Sequence, residues 1–143
     1  MSSRIIGIDF DGTCVTHEFP RIGKDIGAAP VLKKLINAGH RIILFTMRSN
    51  IENPVSSDGE IISEGGNYLT DAVNWFKKND ILLWGVNKNP GQVTWTTSPK
   101  PYCHVYIDDS ALGCPLKYNR YKSDHPYVDW FAVDRYFKDR YYY

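Results

Sequence analysis

A chain of 143 residues with 43% hydrophobic and 23% charged residues is sized and composed for one globular domain, 1–143. Its formal net charge of +1 removes any whole-chain electrostatic case for a nucleic-acid polyanion or an anionic membrane surface. No run approaches the roughly 20 consecutive apolar residues of a membrane-spanning helix, and MSSRIIGIDFDG lacks the apolar core and cleavage site of a secretory leader, so a cytoplasmic protein with no membrane partner is expected.

In chain order, Ile5–Ile8 is a short apolar run that reads as a strand. Pro30 to Ala38 follows as a helix, with Leu32, Leu35 and Ile36 on one face, Pro30 early and Gly39 as the stop. Arg41–Phe45 is a second strand. Residues 50–66 (NIENPVSSDGEIISEGG) are polar and glycine-bearing and read as a loop or small hairpin. Asn67 to Lys78 is a second helix, with Leu69, Ala72, Val73 and Phe76 on one face. Ile81–Val86 is a third strand, residues 87–101 are irregular, and Cys103–Ile107 is a fourth strand. A terminal helix spaces Trp130, Val133 and Phe137 on one face, with its aromatic end frayed. Strands alternating with helices predict an α/β fold: a Rossmann-like three-layer α/β/α domain whose parallel sheet is covered on both faces, with no large cap domain. Cys14, Cys103 and Cys114 form no CxxC pair and read as reduced thiols, neither disulfides nor zinc ligands.

Ligands of parallel α/β sheets bind at the carboxyl ends of the strands. Here those ends carry chemistry. The first strand runs into Asp9-Phe10-Asp11, the second into Thr46 and the fourth into Asp108-Asp109. Four carboxylates converging on one sheet edge repel one another, so they need a cation or raised pKa values. Mg²⁺ with its preference for oxygen ligands answers that need, and a carboxylate beside it can attack phosphorus while a neighbouring acid protonates the leaving oxygen. Each residue also has a plain structural reading. Asp-Gly forms turns wherever strands end, Thr46 can cap a turn and Asp109 can start a helix in solvent. Arg48, close behind Thr46, can reach the site from its loop but reads rather as an exposed arginine; Cys14 reads as packed and His17 as solvated, in preference to either taking part in catalysis.

IIGIDFDGT (5–13), IILFT (42–46) and SPKPYCHVYIDD (98–109), in that order, resemble the four motifs of the haloacid dehalogenase-like superfamily of hydrolases. The resemblance implies roles by position. Asp9 matches the nucleophile that forms an aspartyl-phosphate, and Asp11 the general acid and base, whose main-chain carbonyl also meets Mg²⁺. Thr46 matches the hydroxyl that bonds the transferring phosphoryl group. Lys100, preferred over Lys88, matches the cation that steadies that group. Asp108 matches a metal-binding carboxylate, and Asp109 binds metal directly or through water. The second acid separates this chain from the metal-free dehalogenases, which lack it, and from the transport ATPases, which carry Thr there.

The function implied is a Mg²⁺-dependent phosphatase acting on phosphate monoesters, small or macromolecular, through an open cleft. Two other classes compete. A receiver domain also gathers acids, a Thr and a Lys, but brings its acidic pair on the first strand. A non-catalytic phosphate or metal-binding protein on the same fold would keep Mg²⁺ binding without turnover. Aromatic and basic residues interleave in the tail ending DRYFKDRYYY, but Asp124, Asp129, Asp134 and Asp139 interleave too. A nucleic-acid end phosphatase is therefore an alternative substrate class and not the favoured one.

Overall fold

The computed structural model describes residues 2–52, 57–60 and 65–143. In chain order its elements are β1 (Ile5–Ile8), α1 (Ala28–Asn37), β2 (Arg41–Leu44), β3 (Asn50–Ile51), β4 (Gly66–Asn67), α2 (Tyr68–Lys78), β5 (Leu83–Val86), β6 (Val105–Ile107), β7 (Leu116–Lys117), β8 (Tyr127–Val128) and α3 (Trp130–Asp139). The main sheet is parallel, in the order β5-β2-β1-β6, as the alternation of strand and helix predicts. No large cap is present among the described residues.

The register sets Ile6 opposite Ile42 and Ile8 opposite Leu44 and Ile107, so these side chains share one face. Against that face α1 turns Val31, Leu32 and Leu35, α2 turns Ala72 and Phe76, and α3 turns Trp130, Val133 and Phe137, all within one connected apolar core. The helical periodicity in the sequence is thus the periodicity of burial. Phe10, directly beyond β1, continues the strand's alternation into this core and meets the rings of Trp75 at 5.7 Å and Phe76 at 6.1 Å.

The other face carries Gly7, the part-exposed Tyr106 and the fully buried Ile43, and residues from the segment 87–103 lie over it. A Cβ on Gly7 would stand 2.8 Å from Cys103 Sγ, so only glycine admits that approach. The three expected layers are present, with the layer on this face built of irregular chain in place of helices. Buried polar side chains organise it. Gln92 Nε2 donates to the carbonyls of Ser98 and Lys100 (3.1 and 3.0 Å), Gln92 Oε1 accepts from Tyr102 N–H (2.7 Å), and Asn89 Nδ2 donates to Tyr102 O (2.9 Å). Such bonds satisfy backbone groups that no ladder reaches.

The short ribbon β3–β4 closes the segment 50–66, confirming a hairpin at its base; residues 53–56 and 61–64, and with them any lid, lie outside the described residues. Asn50 does more than pair. Its Oδ1 accepts from the N–H groups of Leu69 and Thr70 (both 3.1 Å), capping α2 from a distant part of the chain. The C-terminus is not frayed, contrary to expectation: Tyr142 meets His40 and Phe137 at 5.2 and 4.8 Å, and the Tyr143 hydroxyl donates to Asp134. Among the described residues no helix is long and apolar enough to cross a membrane.

Candidate active site

At the carboxyl edge of the sheet a cavity of about 460 Å³ is lined by Asp9, Asp11, Thr46, Asp108 and Asp109, together with His17, Phe19, Met47, Arg48 and Ser110. The strands β1, β2 and β6 deliver the acids and the threonine to one place because all three run in the same direction and end at the same level. Five of the six residues singled out in the sequence meet there.

Two turns fix the acids. After β1 the chain folds back at once, with Thr13 and Cys14 N–H both donating to Phe10 O (3.1 and 2.8 Å). The turn is clamped from behind by Val128 N–H on Gly12 O (3.0 Å) and Trp130 Nε1 on Thr13 O (2.7 Å). After β6, Ser110 N–H bonds Asp108 Oδ1 at 2.9 Å. The fully buried Thr13 hydroxyl joins the two turns: it lies 2.9 Å from Asp9 Oδ2 and 3.2 Å from Asp109 Oδ1 and accepts from Asp109 N–H at 3.1 Å. Gly12, at φ +81°, lies so close that a Cβ would overlap the Asp109 carboxylate. Gly12→Ala is therefore expected to cost about 1–3 kcal/mol in urea unfolding, from the left-handed backbone and the displaced acid together. A loss below about 0.5 kcal/mol would mean that the carboxylate swings aside freely.

Asp9, Asp108 and Asp109 offer carboxylate oxygens that all lie within 4.8 Å of one another. Burial first, then the hydrogen-bonded Asp109 and the charge of Asp108, push Asp9 up from the ordinary carboxylate value to about 8. No ion pair among the described residues reaches any of the three.

Asp11 stands apart from this trio. Its carboxylate turns to Arg48, which donates Nε to Oδ2 and Nη2 to Oδ1, both at 2.8 Å. The expected exposed arginine is instead buried, at 3% exposure. All five of its donors find partners, since Nη2 also reaches Arg21 O (2.8 Å) and Nη1 reaches Pro20 O and Tyr68 O (3.3 and 3.1 Å). Its guanidinium lies between the rings of Phe10 and Phe19, 5.1 Å from each centroid. The physical reason is enclosure: a planar fork can be buried only where carbonyls and a carboxylate meet every N–H, and these turns supply them.

Thr46 lies at the end of β2 as expected. Its N–H bonds Asn87 Oδ1 (2.8 Å) and its hydroxyl oxygen accepts from Arg48 N–H (3.1 Å). Lys100 is the residue that does not join. Its ammonium rests 5.2 Å from the Tyr106 ring centroid, and it is held in the covering layer through Gln92. Lys88 lines a separate cleft with Asn87, Asn89 and residues 96–99. Among the described residues no lysine lines the acidic cavity. The thiols are free, as expected. Burial pushes all three up, Cys14 well above its ordinary value and Cys103 to about 11, so none is a ready thiolate.

Sequence reasoning gave no site role to Thr13, Phe19 or Met47, and weighed Arg48 at the site only to prefer an exposed arginine. For Thr13 a signal existed, a hydroxyl directly inside a turn flanked by acids. For Arg48 and Phe19 the partners, Asp11 and Tyr68, are distant in sequence.

No protein-family model matches the chain. No curated protein matches it either. Among solved structures, that of a conserved protein from Bacteroides thetaiotaomicron is similar to this chain, with 27% sequence identity and a TM-score of 0.70. The match covers 97% of this chain and 93% of that one, so the likeness extends from the sheet through the covering segment to the terminal helix.

Proposed function

We propose that this protein is a Mg²⁺-dependent phosphatase of the haloacid dehalogenase-like type, hydrolysing phosphate monoesters through Asp9. One observation carries the reading: three carboxylates from two strand ends share a space of 4.8 Å with no cationic partner among the described residues. Oxygen donors at that density suit a hard divalent cation, with Asp9, Asp108 and Asp109 as its holders. Asp11 would contribute through its main-chain carbonyl, since its carboxylate is engaged by Arg48. When bound, Mg²⁺ would neutralise the clustered charge and the charge that builds on the phosphoryl oxygens.

In the first step an Asp9 oxygen attacks phosphorus, the P–O bond to Asp9 forms and the ester P–O bond breaks. The departing alkoxide takes a proton, a task that the family resemblance gives to Asp11 and that requires its carboxyl to leave Arg48 and enter the step protonated. In the second step water attacks phosphorus and gives its proton to the Asp11 carboxylate left by the first step, and the P–O bond to Asp9 breaks to restore the Asp9 carboxylate and release phosphate. Thr13 holds Asp9 Oδ2 at 2.9 Å and so fixes the nucleophile's direction. Thr46 lies where its hydroxyl can meet a phosphoryl oxygen.

The absence of a lysine from the cavity lining favours one other reading, a non-catalytic phosphate or metal-binding protein on this fold. Turnover of a generic aryl phosphate, with Mg²⁺ and then with chelator, separates the two. The phosphatase reading expects turnover that falls at least about 10²-fold on chelation. Mg²⁺ binding seen by calorimetry without any turnover would favour the binder, and turnover indifferent to chelator would remove the metal from the mechanism.

A further inference from the structure

The acidic cavity has a second, unlike half. Phe19 and Met47 line it beside the acids, Phe19 about half open to solvent at 47% exposure and Met47 almost wholly so at 97%. An exposed methionine directly after Thr46 and an exposed phenylalanine line the same space as the acids, so a molecule bound there would cover apolar surface that faces water. Phe19 is also held in place. Arg48 lies 5.1 Å from its centroid, and the Tyr68 ring meets it in a T-shaped arrangement at 5.2 Å. These contacts fix the ring while leaving nearly half of its surface free.

We infer that Phe19 and Met47 form a subsite for the leaving group, and that the preferred substrates are phosphate monoesters whose alcohol carries a planar aromatic ring. The inference rests on the phosphatase reading for the phosphate position, and it adds the identity of the other half of the substrate. A fixed ring offers stacking at little entropic cost, because the side chain is already ordered before the ligand arrives. The thioether of Met47 is flexible and polarisable, and adapts to a ring edge whose position varies between substrates. Neither side chain carries a hydrogen-bonding group that would discriminate among ring substituents, so the subsite recognises planarity and apolar area.

Phenylphosphonate and methylphosphonate, which cannot be hydrolysed at their P–C bond, test this without depending on turnover. Calorimetry with Mg²⁺ is expected to give a phenyl-over-methyl affinity ratio of about 10 in the wild type. The ratio is expected to fall below about 2 in Phe19→Ala and about threefold in Met47→Ala, a substitution at a side chain too exposed to endanger folding. A disturbance of the fold through Arg48 would weaken both ligands together and leave the ratio standing, which would overturn the assignment of Phe19. Equal affinities in the wild type would overturn the subsite. A preserved ratio in a protein that hydrolyses no aryl phosphate would support the subsite while removing the phosphatase reading, and binding of neither ligand would remove both.

Discussion

Asp9→Asn is expected to act in two opposite directions, raising the melting temperature of the cation-free protein at pH 8 by roughly 5–15 °C while lowering Mg²⁺-dependent turnover by at least about 10³-fold. Both effects come from one carboxylate. Burial and the neighbouring acids raise Asp9 from 3.8 to about 8 in the folded chain. The folded protein therefore holds a proton that the unfolded chain releases at lower pH. The stability this confers is complete below the unfolded value near 3.8 and is lost as pH rises through about 8. At pH 8 the wild type carries a destabilising charge of roughly 2–4 kcal/mol, which an isosteric amide does not develop. Melting curves from pH 4 to 9 in chelator should fall for the wild type and stay flatter for the variant.

The same charge is what the proposed chemistry needs. A protonated Asp9 is not a nucleophile, so a cation that lowers its pKa would both restore stability and create the reactive form. Mg²⁺ is accordingly expected to raise the wild-type melting temperature at pH 8 and to do so far less in Asp9→Asn. A variant that is no more stable than the wild type in chelator, with a wild-type pH slope, would show that Asp9 is not the strained member of the cluster. Retained turnover would remove it as the nucleophile.

What the sequence makes legible here is whatever depends on neighbours along the chain. β1, β2, β5 and β6 are recoverable because strand burial follows from short apolar runs, and the site edge follows because parallel strands end together. Asp9, Thr46, Asp108 and Asp109 were found by that rule alone. The layer over Gly7 and Ile43 was not legible, because Gln92 and Asn89 build it from side-chain bonds that leave no periodic trace. Lys100 illustrates the consequence. Spacing places it just before β6, but the path of residues 87–103 decides where its ammonium lies, and that path carries it onto Tyr106. Asp11 illustrates another. A pair of acids one residue apart reads as one cluster, whereas the turn after Phe10 directs one carboxylate to Asp108 and Asp109 and the other to a guanidinium supplied from beyond β2.

That guanidinium makes the second large prediction. Arg48→Met is expected to destabilise the protein by about 3–5 kcal/mol, because it removes one partner of a buried ion pair and leaves the Asp11 carboxylate without its counter-charge. Met fills much of the space between Phe10 and Phe19, so the loss is electrostatic and not chiefly a cavity. Three carbonyls, of Pro20, Arg21 and Tyr68, lose donors at the same time. Arg48→Lys should recover only part of the loss, since an ammonium cannot serve two carboxylate oxygens and three carbonyls in one plane. The pair term is separable from the rest. Asp11→Asn alone removes the charge that Arg48 answers, and in the double variant the two changes should fall short of additive by roughly 2 kcal/mol or more in urea unfolding. Strict additivity would mean that the carbonyl bonds, and not the Asp11 pair, hold Arg48 in place. In that case the turn at residues 19–21, which presents Phe19 to the cavity, should loosen in Arg48→Met and remain ordered in Asp11→Asn, a difference that amide hydrogen exchange at residues 19–22 reads directly.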